Sequence, residues 1–359
     1  MAFVPGIELS RRYWRELVGP IVDIVVPGAP RAAALVGNGS DVLGFDTERS
    51  TDHGWGPRVF VFFDDAFPLD ERAREIAAAI NARLPESFAG YPVRFAARDG
   101  APVTHQVRLT TVARWFRSAV GFDPRGEITP ADWRGAPTQL LREATAGAVF
   151  EDQAGELTRA REALRWYPDD VWLYLLACQW RRIDQEEPFI GRTGEVSDEL
   201  GSAVLAARLV RDLMRLCFLI EREYAPYAKW LGTAFARLRC GPALMPMLRA
   251  ALAAGDWHAR EEALVPAYEH VARMFNALRI TEPQEPEVRG FYSRPFRVLA
   301  SGRFAEACMA RTPLGALGWA GGIDQFVDST DVVSDAGRAH GYVTPQPPLQ
   351  RGGDGELAM

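Results

Sequence analysis

A run of β-branched and aromatic residues from Arg58 to Phe63, closed by Asp64 and Asp65, sets the main constraint on the fold of this chain. An apolar run of this length without polar alternation is typical of a strand that is buried inside a sheet. The segments around the run alternate between helical and extended patterns. The run therefore predicts the central strand of a mixed sheet in an α+β domain.

The other elements of the N-terminal third follow from hydrophobic periodicity and from turn residues. The patterns predict helices over residues 10–24, 69–84 and 112–120, and strands over residues 32–36, 91–95 and 105–110. The last helix is expected to end at Gly121. No segment after these residues predicts a further strand.

Beyond residue 127 the sequence shows long helical periodicity, which predicts a second domain made of helices. The expected helices cover residues 137–146, 155–166, 169–184, 197–224, 242–254 and 257–278. The fold is thus expected to be an α+β domain over residues 1–126, with a sheet and flanking helices, followed by a helical bundle over residues 127–343. The Pro- and Gly-rich residues 344–359 are expected to be a disordered tail.

Composition limits the possible functions. The chain has 359 residues, of which 48% are hydrophobic and 25% charged, as in an ordinary globular protein large enough for two domains. Its net charge of −6 argues against a nucleic-acid partner, which would require a basic surface.

No leader-like or membrane-spanning segment is found, so a cytoplasmic location is expected. The four cysteines show no paired spacing and are expected to be buried thiols.

Gly39 and Ser40 form a pair suited to a phosphate group. A residue without Cβ allows close approach of the backbone, the serine hydroxyl can donate a hydrogen bond, and a helix starting there would add backbone N–H donors. Downstream, Asp52 is a hard oxygen ligand of the kind that magnesium prefers. Arg58 is placed to reach a phosphate, or alternatively to pair with Asp64 or Asp65.

Lys229 stands out because it is the single lysine beside 40 arginines. An ammonium group is a compact charge suited to a phosphate, whereas a guanidinium is a planar fork. Pro226 interrupts the helical pattern just before it, so Tyr227 and Lys229 are expected at a bend. A phosphate-binding role and a structural role for Lys229 both remain open.

The chain resembles the DNA polymerase beta-like nucleotidyltransferase superfamily through Gly39-Ser40 and the acidic segment that follows. A closer resemblance, through the run from Ser50 to Arg58 and the segment from Tyr224 to Gly232, is to an uncharacterised family of predicted nucleotidyltransferases, domain of unknown function 4037. The likeness extends over about residues 30–330. It implies an ATP or other NTP substrate, magnesium held by Asp52, and phosphate binding by Gly39, Ser40, Arg58 and Lys229.

The chain departs from this family at one position. Members read Asp-His-Asp-Trp-Gly where this chain reads Asp52-His53-Gly54-Trp55-Gly56. The resemblance implies that the second metal carboxylate is missing, and a two-metal site needs several carboxylates. Asp46 and Glu48 are candidate substitutes, although their ordinary interpretation is a solvated acidic turn.

A charged stripe in the predicted helix over residues 197–224 contains Arg208, Arg211, Asp212 and Arg215. The stripe is either an exposed face with intrahelical ion pairs or a surface that lines the nucleotide cleft. Trp230, in the following helical segment, can stack a nucleobase or serve as a core residue.

Two functions are consistent with these patterns. The first is an enzyme, a nucleotidyltransferase that uses magnesium to transfer a nucleoside monophosphate from an NTP to a hydroxyl of a small molecule or protein. The alternative is a regulatory protein that binds a nucleotide or partner and has lost catalysis through Gly54.

Overall fold

The structure, a computed structural model, describes residues 3–52, 54–97 and 100–343, apart from the side chain of Asp52. The predicted tail therefore lies outside the described residues. In chain order, the elements up to residue 120 are α1 (Gly6–Tyr13), α2 (Gly19–Val25), β1 (Arg31–Leu35), β2 (Arg58–Phe63), α3 (Leu69–Asn81), β3 (Ser87–Phe88), β4 (Tyr91–Pro92), β5 (Arg94–Ala96), β6 (Val103–Thr111) and α4 (Val112–Val120). A π-helical turn, Trp14–Val18, joins α1 to α2.

The remaining elements are mainly helices. They are α5 (Pro130–Gly135), α6 (Thr138–Thr145), β7 (Ala148–Asp152), α7 (Glu156–Ala163), α8 (Asp169–Glu186), α9 (Phe189–Gly194), α10 (Glu199–Glu221), α11 (Ala228–Phe235), α12 (Gly241–Ala253), α13 (Trp257–Ala277), β8 (Arg289–Gly290), β9 (Arg297–Val298), α14 (Gly302–Met309), α15 (Thr330–Val333) and α16 (Ala336–Val343). The predicted α+β class, with a mixed sheet followed by a helical bundle, is confirmed.

The main sheet has five strands in the order β5-β6-β2-β1-β7. Strand β2 runs parallel to β6 and antiparallel to β1, with Ala34 opposite Phe60. Strand β7 pairs with β1 at the sheet edge, although it lies after residue 127. The sequence did not predict this strand, because all five of its residues are only half-buried and its pattern is not distinctive.

Alternate residues of the central strands enter two separate cores, which explains why β2 is apolar throughout. Val59, Val61 and Phe63 pack with helices α1 to α3 on one face of the sheet. Phe62 on the opposite face joins a larger core that continues through α4 and α6 into the helical bundle. The sheet and the bundle thus share one continuous hydrophobic core.

The charged stripe of α10 is part of an ionic network that is buried at Asp212 and exposed at its outer pairs. Asp212 is fully buried and accepts a 3.2 Å hydrogen bond from Arg182, while Arg211 pairs with Asp328 at 3.0 Å. Arg215 donates to the backbone oxygen of Asp324 at 2.6 Å. These contacts hold the segment before α15 against the bundle. The hypothesis that the stripe lines a nucleotide cleft is wrong, because its charges bind residues of α8 and of the segment before α15 and do not line the cleft described below.

The four cysteines are free and buried, as the sequence predicted. Among the described helices, none combines the length and the apolar character that crossing a membrane requires.

Candidate functional site

The turn that follows β1 contains Gly39 and Ser40. The backbone N–H groups of Leu43 and Phe45 donate to the carbonyl oxygens of Gly39 and Ser40 at 3.2 and 2.7 Å, and these bonds close a compact turn. No helix starts at this turn, so the backbone donors that a helix start would add are not supplied there. A ligand at this turn therefore meets individual backbone groups and the Ser40 hydroxyl, without the dipole of a helix.

Arg58 is buried and binds the same turn through hydrogen bonds of its guanidinium group. Its Nε and Nη2 donate to the two carboxylate oxygens of Asp41 at 3.1 and 2.5 Å, and Nη2 also donates to the carbonyl oxygen of Asn38 at 2.8 Å. The antiparallel register of β1 and β2 places the first residue of β2 beside the residues that follow β1. Pairing of Arg58 with Asp64 or Asp65 is wrong, and Arg58 does not line the cleft described below.

The ion pair between Arg58 and Asp41 leaves no room for a side chain at position 39, so a glycine is required there. Its backbone has φ +141°, and a Cβ at this position would lie 2.2 Å from both Arg58 Nη2 and Asp41 Oδ1. The sequence predicted that a phosphate could approach the backbone at Gly39. On the side where a Cβ would lie, that space is occupied by the Arg58 guanidinium and the Asp41 carboxylate. Ser40 forms no side-chain hydrogen bond with a described residue and lines the cleft.

The candidate metal ligands lie around the same loop. Asp46 Oδ2 accepts hydrogen bonds from the Gly6 backbone N–H at 2.7 Å and from Trp55 Nε1 at 3.2 Å, so this carboxylate fastens the start of α1 to the loop. Glu48 is exposed at the start of the short 3-10 helix Glu48–Asp52. Asp52 ends that helix, and its predicted role as a metal ligand concerns a side chain outside the described residues.

Gly54, where the resemblance implies a second carboxylate, has a left-handed backbone with φ +63°. A Cβ at this position would lie 2.9 Å from the Ala97 carbonyl oxygen. Within residues 3–52, 54–97 and 100–343, no group of three His, Cys, Asp or Glu side chains is arranged to hold a metal ion. Because Asp41 and Asp46 are already engaged, the described carboxylates do not fit a two-metal site.

Lys229 lies at the start of α11, directly after the bend that the sequence predicted at Pro226. Its ammonium group is exposed, lies 5.0 Å from the ring centroid of Trp230 and forms no ion pair with a described residue. The Trp230 ring stacks on Phe45, with centroids 5.1 Å apart and an interplanar angle of 26°. This stack joins α11 to the Gly39–Ser40 loop, although the two segments are distant in sequence.

A cleft of about 730 Å³ lies between these segments. Its walls include Gly39, Ser40, Gly54 and Trp55 from the loop, Gln139 and Glu143 from α6, Tyr227, Lys229 and Trp230 from the bend, and Thr330, Val333 and Ser334 near the C-terminal end. The structure thus brings Gly39, Ser40 and Lys229 to one cavity. Arg58, Asp46 and Glu48 do not line it.

The charges of the cleft favour an anion. Asp41 is neutralised by Arg58, whereas the exposed Arg49 and Lys229 pair with no described acid. Glu143 is the other acidic residue of the lining. Burial raises the pKa of its carboxyl, while the hydrogen bond from Gln139 and the charge of Arg58 oppose that shift. Two cations therefore face the cavity with little opposing charge among the described side chains.

The sequence did not identify three residues of the cleft lining, which are Arg49, Gln139 and Glu143. Arg49 stands among acidic and polar residues of an ordinary loop, and 39 other arginines make it inconspicuous. Gln139 and Glu143 lie one helical turn apart on α6. This spacing indicates that the two side chains share a helix face, but it does not indicate which other segments that face contacts.

Residues 133–231 match the model of a protein family described as "Domain of unknown function (DUF4037)". The matched segment includes Gln139, Glu143 and Lys229, and it ends before Gly232. No curated protein and no solved structure is significantly similar to the chain. This match confirms the predicted resemblance to the DUF4037 family over residues 133–231.

Proposed function

We propose that this protein binds a nucleoside triphosphate, ATP or another NTP, in the cleft between the Gly39–Ser40 loop and the bend before α11. The observation that carries the proposal is that the Ser40 hydroxyl and the Lys229 ammonium group line one cavity from distant parts of the chain. Neither group is engaged in a hydrogen bond or ion pair with a described residue.

The chemistry of the cleft matches the parts of a nucleotide. Lys229, Arg49 and Ser40 supply two cations and one hydroxyl donor for phosphate oxygens. Trp230 and Tyr227 offer aromatic faces on which a base can stack. The volume of about 730 Å³ falls within the roughly 300–1,000 Å³ of small-molecule sites.

The second candidate function is transfer of a nucleoside monophosphate to a hydroxyl acceptor, a small molecule or a protein. It is supported by the family resemblance and by the size of the cleft, whose lining extends to Thr330, Val333 and Ser334. Magnesium would be needed to neutralise charge on the phosphates. Since the described carboxylates do not fit a two-metal site, this candidate depends on Asp52.

Calorimetric titration of the full chain with ATP and GTP, with and without magnesium, tests both candidates. Saturable binding supports the nucleotide site, and its absence under every condition contradicts it. Asp52→Ala then separates the candidates. If binding requires magnesium and is lost in the variant, transfer is favoured. If binding is independent of the metal and of Asp52, the protein is a nucleotide-binding module without transfer.

Glu71→Ala is the matched control for removal of one carboxylate. Glu71 is exposed on α3 and does not line the cleft. We expect this variant to bind nucleotide as the wild type does, so any general effect of the lower negative charge is measured separately.

A further inference from the structure

Glu143 is a cleft acid without a described cationic partner. Its Oε1 accepts a 2.6 Å hydrogen bond from Gln139 Nε2, and its Oε2 accepts none from a described residue. Glu143 is half-buried and lines the cleft, so a ligand that enters the cleft can reach its acceptor oxygen. Such an oxygen is satisfied best by a donor on a bound ligand.

The position of Glu143 relates it to a particular part of a nucleotide. Its backbone oxygen accepts a 3.1 Å hydrogen bond from the Gly37 N–H, just before the Gly39–Ser40 turn. On the other side, Gln139 Oε1 accepts a 3.0 Å hydrogen bond from the Tyr227 N–H. Glu143 is therefore attached both to the proposed phosphate side of the cleft and to its aromatic side.

In a nucleotide, the ribose joins the phosphates to the base. We propose that Glu143 accepts hydrogen bonds from the ribose hydroxyls, so that the cleft selects ribonucleotides over deoxyribonucleotides. This inference rests on the proposed function and deepens it. A carboxylate has only acceptor sites. A ribose presents two hydroxyl donors, whereas a deoxyribose has lost one of them.

The selectivity follows from the cost of an unsatisfied acceptor. A site built to hydrogen-bond a ligand hydroxyl discriminates strongly against the analogue that lacks it, because the protein acceptor then loses both ligand and water. Gln139 adds to this effect, since its hydrogen bond holds the Glu143 side chain in place.

The test compares the affinities of ATP, 2′-deoxyATP and 3′-deoxyATP for the wild type, Glu143→Met and Glu143→Gln. Methionine has similar length and no comparable acceptor, whereas glutamine keeps one carbonyl oxygen. We expect the wild type to bind ATP about tenfold or more tightly than at least one deoxy analogue. Glu143→Met should lose this preference by weakening ATP binding alone, and Glu143→Gln should retain part of it.

Unchanged affinity of Glu143→Met for the weaker analogue shows that the variant is folded. Equal affinities of the wild type for all three nucleotides, or a preference that persists in Glu143→Met, overturn the role of Glu143 and leave the nucleotide site intact. If the wild type binds none of the three, the proposed function and this inference both fail.

Discussion

Arg58, the first residue of β2, forms a two-pronged ion pair with Asp41, a residue of the turn that follows β1. Both side chains are largely excluded from solvent, with 11% and 2% of their surfaces exposed. The pair exists because β1 and β2 are antiparallel, so the end of one strand meets the start of the other. It supports the loop that forms one wall of the cleft.

Removing one partner of this pair should be strongly destabilising. We expect Arg58→Met to lower the free energy of unfolding by about 3–5 kcal/mol, because it leaves the Asp41 carboxylate buried without its cation. Chemical denaturation measures the loss. Arg165→Met is the matched control, since Arg165 and Glu162 form an exposed pair worth at most about 1 kcal/mol. Similar losses in the two variants contradict the structural role of Arg58.

Gly39→Ala tests the close packing of the turn against Arg58 and Asp41. The added Cβ would clash with both side chains, so we expect a loss of about 3 kcal/mol or more in the free energy of unfolding. Gly28→Ala provides the control, because Gly28 has φ +73° with nothing within 4 Å of an added Cβ. This control should cost only about 1–2 kcal/mol, from backbone strain. Thermal or chemical unfolding of both variants gives the comparison.

Lys229→Met should weaken nucleotide binding without lowering stability. The ammonium group is exposed and forms no ion pair with a described residue, so little folding energy depends on it. A charge-assisted hydrogen bond to a phosphate is worth enough that its loss raises the ATP dissociation constant about tenfold. Calorimetry measures the constant, and Lys229→Arg serves as the variant that keeps the charge. An unaltered dissociation constant in Lys229→Met removes this residue from the site.

Glu187 should make stability depend on pH. Burial raises the pKa of its carboxyl to about 7, although the N–H groups of Leu299 and Ser301 donate to it and oppose the shift. Between pH 4.5 and 7 the folded state thus binds more protons than the unfolded state, whose pKa is near 4.5. Stability should therefore fall by roughly 1–3 kcal/mol as pH rises through this window.

Glu187→Gln isolates this effect. Its amide cannot ionise, so the difference in free energy of unfolding between the variant and the wild type should change with pH between 4.5 and 7 and stay constant outside that range. A constant offset over the whole range indicates only that the amide fits the N–H donors less well. Denaturation curves at several pH values provide the measurement.

Local patterns predicted several elements closely. Strand β2 and helix α4 have the predicted bounds, since an apolar run and an amphipathic run ended by Gly121 are complete signals within the segment itself. Strand β7 was missed for the opposite reason. It is a half-buried edge strand whose conformation depends on pairing with β1, and β1 lies more than a hundred residues earlier in the chain.

The candidate site could be predicted only in part. Ser40 and Lys229 were identified by residue type and local context, and they line one cleft. Arg58 was chosen for the same kind of reason, yet its guanidinium holds Asp41. A sequence shows which groups can bind a phosphate. It does not show which of them form an ion pair with an acid that the fold places beside them.

Periodicity and turn residues in the chain itself dictate strand β2, most of the long helices and the bend before Lys229, because these depend on neighbouring residues. Tertiary structure alone assigns the partners of the polar side chains. Strand register brings Arg58 to Asp41, and the packing of α6 places Glu143 between the Gly39–Ser40 turn and Tyr227. The reason is physical: a hydrogen bond or ion pair depends on distances of about 3 Å, and such distances between remote segments exist only after the chain has folded.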